Sequence, residues 1–520
     1  LLQRLRMKDK NKYGQYFTID SVAEFMVGLI RHGKEAKVLE PSCGEGVFLK
    51  NLEKDGFSNL DAYEIDHSLD NSFSYVRYES FVSSPVDDKY DVVIGNPPYI
   101  RWKNLEPELK DELGRSPLWN RYFNSLCDYL FIFILKSIEQ LNDGGELIFI
   151  CTEYWMNTTN SASLRSYMAH NGYFTDIYHF KEAPLFDGVC ASFVVFRYVK
   201  SNERQDTVAL HRYNKKGAPS SGELKDGSCF DVCHIPQFES GGRWLLATAE
   251  QQDLLSDFER SCTRETDTLF RDEPAIYRIG DFCDIGNGMV SGLDKAFNVS
   301  KLDTLNSREL DNVINVLKSK DLDYYFESSE SRYFFMRERI DEDTFASTMP
   351  NIYRQIVPYK KELESRYDYG KDTKYWEFVF PRNLSLFSRK AKRILVPCKE
   401  RISNKDHFRF VLADEGVYPL QDVTGILLKP NCRESIEYVT AFLNNRRVYE
   451  WLGFNGIVKG YIVEFSEAPI ASIPYRPIDW DNPEEVKAHD TITRAVKDYI
   501  RFRKPETLDS IDNNFNKLLS

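Results

Sequence analysis

The sequence predicts an α/β protein: a doubly wound sheet in the first half, then a separate mixed α+β region. Three observations predict it. Apolar strand-like runs alternate with helix-like runs over residues 1–200, a glycine turn follows the first of those runs, and the pattern changes character near Ile276. Strands that read as continuous apolar runs between helices are covered on both faces, which points to a parallel sheet. At 520 residues the chain exceeds one ordinary core, and ~100–200 residues per domain gives two or three.

The elements follow in order. Residues 38–39 end a strand ahead of a Gly-containing turn. Residues 62–65 are a short apolar run closed by Asp66. Residues 90–95 (YDVVIG) are a buried strand that runs into two prolines. Residues 129–141 have the length and periodicity of a helix, with Asp143-Gly144-Gly145 as its stop. Residues 147–151 and 192–198 (SFVVFRY) are further buried strands. Residues 214–227 are a Gly/Ser/Lys loop and residues 250–259 a connecting helix. This organisation divides the chain into residues 1–245, a connecting segment 246–275, and residues 276–520, where runs are shorter and aromatics frequent.

Composition narrows the class. Hydrophobic content of 42% and charged content of 28% suit a globular enzyme. The longest apolar run, residues 129–135, is bounded by Asp128 and Lys136, far short of the ~18 residues that span a bilayer. Residues 1–12 are basic and polar, without the apolar core of a signal peptide, so a cytoplasmic protein with no membrane partner is expected. Ten scattered cysteines fit reduced thiols. Cys229, Cys233 and His234 cluster without a second ligand pair, so no metal is expected. The net charge of −12 is uneven: residues 1–275 carry 31 basic and 42 acidic side chains, residues 276–520 carry 37 and 38. Residues 382–409 hold nine basic side chains against Glu400 and Asp406. Phosphate contacts need local positive charge rather than a basic whole, although on charge alone a solvated basic face explains the stretch.

The stretch VLEPSCGEGVFL (residues 38–49) reads as strand, tight turn and helix start. Gly44 and Gly46 let the backbone turn sharply and approach a ligand closely. Ligands in such sheets bind beyond the carboxyl ends of the strands, where Glu40 can face a cationic amino acid moiety. Alone, this turn reads more readily as an ordinary strand–helix connection than as a cofactor loop. The next strand adds Glu64, 20 residues after Gly44, placed to bond both ribose hydroxyls of an adenosine. Leu49 stands where a dinucleotide fingerprint has its third glycine, which favours a different adenosine-containing ligand.

Asn96-Pro97-Pro98-Tyr99 follows the 90–95 strand directly. An amino nitrogen attached to an aromatic ring is a poor nucleophile, because its lone pair is delocalised. Acceptors on both of its N–H groups favour a tetrahedral nitrogen with a free lone pair. The Asn96 side-chain oxygen can be one acceptor and the Pro97 carbonyl the other. Neither proline has an N–H, and each sets φ. Tyr99 offers a face on which a ring can stack. Such activation is electrostatic and geometric. It needs no His or Cys nucleophile, and no Ser-His-Asp or Cys-His arrangement stands out.

With these motifs the chain resembles the γ-class N6-adenine DNA methyltransferases of the TaqI-like and Eco57I-like type II modification methylase family. The resemblance is strong over residues 12–200 and looser beyond 276. It implies a Rossmann-like doubly wound methyltransferase sheet with a C-terminal mixed α+β target recognition domain. It implies S-adenosylmethionine as cofactor, with Gly14 to Thr18 as the N-terminal cofactor segment and Tyr16 and Thr18 within it. Glu40, Ser42, Cys43 and Gly44 match the turn that holds the methionine part, Glu64 the ribose-binding acid, and Ile65 its neighbour beside the adenine. Glu79-Ser80-Phe81 matches a segment that usually carries Asp and then an apolar residue, with either Glu79 or Ser80 as the equivalent position. Phe133 matches an aromatic packed on the cofactor's adenine. Asn96 and Pro98 also adjoin the cofactor, and Phe186 matches a second aromatic that sandwiches a flipped base against Tyr99.

Further along, Ile285-Gly286-Asn287-Gly288, Ser291-Gly292, Ala296-Phe297, residues 461–465 (YIVEF) and Ile473-Pro474 resemble the family's recognition region. Arg382, Lys399 and Arg401 are the candidate DNA contacts there. The expected function is a site-specific adenine methyltransferase that flips its target base out of double-stranded DNA, the modification enzyme of a restriction-modification system with or without a cognate endonuclease. The alternatives are an RNA-base or protein-glutamine amino-methyltransferase with the same NPPY chemistry, a cytosine amino-methyltransferase, and a non-enzymatic DNA-binding subunit.

Overall fold

The computed structural model describes residues 15–69, 71–85, 87–186, 191–264, 275–370, 372–402, 406–459 and 461–519. They form two compact units, divided between Gln251 and Gln252.

The first unit is built on a nine-stranded sheet. In chain order its strands are β1 (Val38–Glu40), β2 (Leu60–Tyr63), β3 (Val76–Arg77), β4 (Tyr90–Gly95), β5 (Leu141–Thr152), β6 (Gly172–Lys181), β7 (Phe193–Lys200), β8 (Thr207–Tyr213) and β9 (Phe230–Pro236). Their spatial order is β3-β2-β1-β4-β5-β7-β6-β8-β9. Strands alternate side chains between faces, and here both faces are apolar. Leu39, Val93, Leu147, Phe149, Cys151, Val194 and Phe196 point to one core, under the helices Tyr129–Gln140 and Ala162–Asn171. Val38, Val92, Ile94, Ile148, Ile150 and Val195 point to the other, under Asp20–Val27, Val47–Lys54 and Ser221–Asp226. A strand buried on both sides has no polar face to show, hence the unbroken apolar runs.

The sheet is mixed, which corrects the expectation of a parallel one. β1 pairs in parallel with β2 and β4, and β4 with β5, but β7 runs antiparallel to both β5 and β6. The apolar runs of β5 and β7 signal burial on both faces, and burial carries no information about direction. Two local readings also change. The helix ends at Gln140, before Asp143-Gly144-Gly145, and Leu141 already pairs with Tyr90 in the ladder. Residues 142–145 form a bulge between the Tyr90–Leu141 and Val92–Glu146 pairs, with Gly144 at φ 79°. Within the expected 214–227 loop lies a helix, Ser221–Asp226, held by a capping box between Ser220 and Glu223.

The second unit starts in the helix Ala249–Ser261. Its four-stranded sheet orders Cys283–Asn287, Val423–Leu428, Arg393–Pro397 and Val411–Ala413, all antiparallel. Two three-stranded sheets join it, one of them made of Lys399–Arg401, Ile462–Glu464 and Ile457–Lys459. The helices Ile436–Leu443, Pro483–Phe502 and Glu506–Leu518 pack together toward the chain end. No described helix is long and apolar enough to cross a membrane.

One buried ion pair ties the first sheet together. Glu146 on β5 is almost fully buried and accepts from Arg197 Nε (3.1 Å) and Nη2 (2.6 Å) on β7 and from the Arg31 backbone N–H (3.0 Å). Removing one partner leaves a buried charge, a loss of ~3–5 kcal/mol. Arg197→Met is therefore expected to cost about 3 kcal/mol in urea-induced unfolding. An unchanged unfolding free energy would show that the pair does not hold β5 to β7.

Candidate active site

β1 sits between β2 and β4, both parallel to it; after β1 the chain moves to β2 on one side, and after β4 to β5 on the other. Such a switch point opens a cleft at the carboxyl ends of the strands. A cavity of about 200 Å³ lies there. Its walls include Tyr16, Thr18, Glu40, Ser42, Cys43, Gly44, Glu64, Ile65, Ser80, Asn96, Pro98 and Phe133, all of which the sequence singles out. The walls also include Gln15, Phe17 and Phe81, which lie within the segments that carry the resemblance, and Glu45, Phe48, Leu109 and Tyr129, to which the sequence assigns no role. Gly14 lies outside the described residues.

The turn after β1 explains its glycines. Gly44 (φ 53°) and Gly46 (φ 80°) occupy the left-handed region. The Gly44 N–H donates to Glu64 Oε2 at 2.7 Å, and the Asp66 N–H donates to Oε1 at 2.8 Å. Both carboxylate oxygens are thus held by backbone donors, with lone-pair capacity left for a further one. Burial, the larger effect, raises the Glu64 pKa above its ordinary value against the backbone bonds from Asp66, Gly44 and Ile65. Glu40 is 1% exposed, and its Oε2 has no partner. Burial first, and the nearby Glu64 charge second, raise its pKa well above the usual carboxylate range. The same burial and the same two carboxylates push the Cys43 thiol up. The cleft is desolvated and acidic, and a cation placed in it would favour the ionised carboxylates.

At the end of β4 the Asn96 amide is held from behind. Its Nδ2 donates to the Tyr16 carbonyl at 2.7 Å and to Thr18 Oγ1 at 3.1 Å. Those acceptors dictate which end of the amide is NH2, so Oδ1 faces the other way, toward the Tyr99 hydroxyl. That hydroxyl has one proton for two acceptors, Asn96 Oδ1 and the Ile150 carbonyl at 2.7 Å. Burial raises the Tyr99 pKa well above its ordinary value, so it stays a donor. The Ser42 hydroxyl donates to the Asn96 carbonyl at 3.2 Å, joining the two loops. Pro97 is buried beneath them.

Aromatic rings gather around this point. Tyr16 stacks on Tyr99 with centroids 5.9 Å apart and meets Phe186 edge-on at 6.3 Å. Phe186 packs on Phe193 at 4.7 Å, and Phe193 lies 6.2 Å from Tyr99. Tyr99 and Phe186 are thus brought into one group through Tyr16, whose ring the sequence reading assigned to the cofactor segment only.

Of the two candidates beside this site, Ser80 faces the cavity and Glu79 is exposed. β3 ends at Arg77, and the Ser80 hydroxyl accepts from the Val82 N–H at 3.2 Å, capping the turn Phe81–Ser83. That cap turns Ser80 in and Glu79 out. Phe81 then packs on Phe133 at 5.3 Å.

The three candidate DNA contacts lie in the second unit. Arg382 donates from Nε to the Gly288 carbonyl at 2.6 Å, and its neighbour Asn383 donates from Nδ2 to the Asn287 carbonyl at 2.9 Å. Both bonds tie this segment to the Ile285-Gly286-Asn287-Gly288 strand. Lys399 and Arg401 are exposed on one face of their strand, while Glu400 between them is buried and paired with Arg409 at 2.6 Å.

Comparison with known proteins places these features in context. A family model described as the Eco57I restriction-modification methylase matches residues 42–186. The type II methyltransferase M.HindII of Haemophilus influenzae is 44% identical over 513 residues, covering 98% of each chain. M.HincII of Haemophilus influenzae is 41% identical with the same coverage. Among solved structures, the type IIL restriction-modification enzyme MmeI in complex with DNA superposes with a TM-score of 0.59, over 96% of this chain and 72% of that one, at 12% identity. At that identity the likeness is one of fold.

The Gly46 turn makes a testable demand. A Cβ at Gly46 would stand 2.5 Å from the Phe73 ring, in a conformation that L side chains rarely adopt. Gly46→Ala is expected to lower the unfolding free energy by about 2 kcal/mol. A thermal midpoint equal to that of the parent protein would show that the turn does not need glycine there.

Proposed function

This chain belongs to the type II restriction-modification methyltransferases, and from that premise we propose that it methylates the N6 amino group of an adenine flipped out of duplex DNA. The proposed methyl donor is S-adenosylmethionine. The observation that carries the finer reading is the lock on Asn96: Tyr16 and Thr18 hold its Nδ2, which leaves Oδ1 as an acceptor at the cavity mouth beside Tyr99.

The residues present fit that cofactor. The unpartnered Oε2 of Glu40 suits its ammonium group. The remaining lone pairs of Glu64 suit a ribose diol, and the aromatic wall of Phe81 packed on Phe133 suits an adenine. Ser42, Cys43, Gly44 and Ile65 would complete the walls. When bound, the cofactor supplies an electrophilic methyl group on sulfur. Asn96 Oδ1 and the Pro97 carbonyl would accept the two N–H bonds of the target amino group, drawing its lone pair out of conjugation. Tyr99 would stack on the base, and Phe186 would bound it on its other side. Each acceptor acts without reorganising, because the Asn96 amide is already held. Arg382, Lys399 and Arg401 are the proposed phosphate or base contacts.

The test is to incubate the protein with labelled S-adenosylmethionine and diverse genomic duplex DNA and identify the modified nucleosides. N6-methyladenine is expected, and its absence sinks the adenine assignment. Asn96→Ala is expected to lower kcat by about 1,000-fold while cofactor affinity stays within a few-fold. Transfer at the parent rate would remove Asn96 from the mechanism.

The raised pKa of Glu40 gives a second expectation. Without a cation beside it, its carboxyl stays protonated above the usual carboxylate range. An arriving ammonium favours the ionised form, so binding expels a proton. Between the ordinary carboxylate pKa and the raised one, cofactor affinity should rise with pH. Calorimetric titration with S-adenosylhomocysteine in buffers of different ionisation enthalpy should show proton release, and Glu40→Gln should abolish it. A buffer-independent enthalpy for the parent protein would mean that Glu40 is already ionised.

A further inference from the structure

We propose that Lys136 is a positioning residue for cofactor binding: a buried ammonium that holds the turn carrying Ser80 and Phe81 against the helix carrying Phe133. The proposal rests on the reading of the cavity as the S-adenosylmethionine site.

Lys136 lies on the helix Tyr129–Gln140 and is 2% exposed. Its Nζ donates to the carbonyls of Phe81 (2.5 Å), Val82 (2.9 Å) and Ser84 (2.5 Å) and approaches Ser84 Oγ at 3.0 Å. It also lies 4.9 Å from the centre of the Phe81 ring. A lysine ammonium has three donors, so Nζ is saturated by the backbone of one short turn, Phe81–Ser83, and the residue that follows it. No carboxylate pairs with it among the described residues. The charged group that acts on it is Glu112, on the helix Pro107–Arg115, whose carboxylate is hydrogen-bonded to the Ser83 hydroxyl of the same turn.

A buried charge without a counter-ion is costly, so what it organises matters. Lys136 is one helical turn after Phe133, on the same face. Both Phe133 and Phe81 line the cavity, 5.3 Å apart. The ammonium therefore sets the position of one aromatic wall against the other, and of Ser80 beside them. Phe81 and Phe133 line the cavity and Lys136 is not among its lining residues, so Lys136 acts on the ligand only through other residues. Burial also lowers the Lys136 pKa to about 8, within reach of a titration.

Lys136→Met keeps the length and apolar body of the side chain and removes the ammonium. Its affinity for S-adenosylhomocysteine, measured by calorimetry at pH 7, is expected to fall about 10-fold. Its kcat at saturating S-adenosylmethionine should stay within about two-fold, because the Asn96 loop is untouched. The ligand's own ammonium titrates in both proteins, so the readout is the ratio of the two Kd values. That ratio should shrink as the pH rises through about 8, where the parent protein loses the same charge. Equal affinities at pH 7, or a ratio independent of pH, would overturn the proposal. If Lys136→Met does not fold, Ser84→Ala deletes one oxygen at the ammonium and leaves the charge. It should weaken binding about two- to three-fold and move the parent protein's pH response lower, and no change in either would overturn the proposal. Failure of the parent protein to bind S-adenosylhomocysteine at any pH would instead sink the cofactor reading on which it rests.

Discussion

The parallel pairing of β1 with β2 on one side and β4 on the other is the constraint from which the rest of the first unit follows. Because the chain moves toward β2 after β1 and toward β5 after β4, the loops after these two strands diverge and a cleft opens between them. The loop after β1 must turn within a few residues to start the helix Val47–Lys54, which puts Gly44 and Gly46 in the left-handed region. The loop after β4 has no such helix to start, and two prolines keep it extended. Ser42 bonding to the Asn96 carbonyl couples the two loops, so that the acidic pocket and the Asn96 amide share one geometry.

The cleft then works by contrast. Its floor holds Glu40 and Glu64, both with pKa values raised mainly by burial. Its far wall is aromatic, Phe81 against Phe133, with the Lys136 ammonium behind it. A ligand that is cationic at one end and aromatic at the other meets complementary surroundings along its length. The mouth offers neither a nucleophile nor a free acid. It offers an oriented acceptor, Asn96 Oδ1, and rings at Tyr99, Tyr16 and Phe186. Such a site can orient an amino group and withdraw its N–H bonds, which is the chemistry a weakly nucleophilic ring amine requires.

Much of this was legible because each feature leaves a local trace. A left-handed turn calls for glycine, a strand end calls for loss of apolar residues, and two prolines after a buried strand keep the loop that follows out of the ladder. Other features had no local trace. Lys136 reads as the charged end of an apolar run, because its acceptors are backbone carbonyls some fifty residues earlier. The choice between Glu79 and Ser80 depended on where β3 ends and on a hydroxyl capping Val82. The antiparallel course of β7 was hidden by burial, which gives parallel and antiparallel strands the same apolar composition.

By itself the sequence determined the α/β alternation, the glycine turn, the acidic residues at two strand ends and the NPPY loop, because periodicity, left-handed backbone and proline chemistry are properties of neighbours along the chain. Tertiary structure alone decided that Glu40 has an orphaned oxygen, that Tyr16 and Thr18 orient the Asn96 amide, and that Tyr16 joins Tyr99 to Phe186. It alone made Lys136 part of the wall behind Phe81. Those outcomes depend on burial and on partners distant in sequence, and a hydrogen bond across seventy-eight or more residues leaves no period, spacing or composition by which to read it.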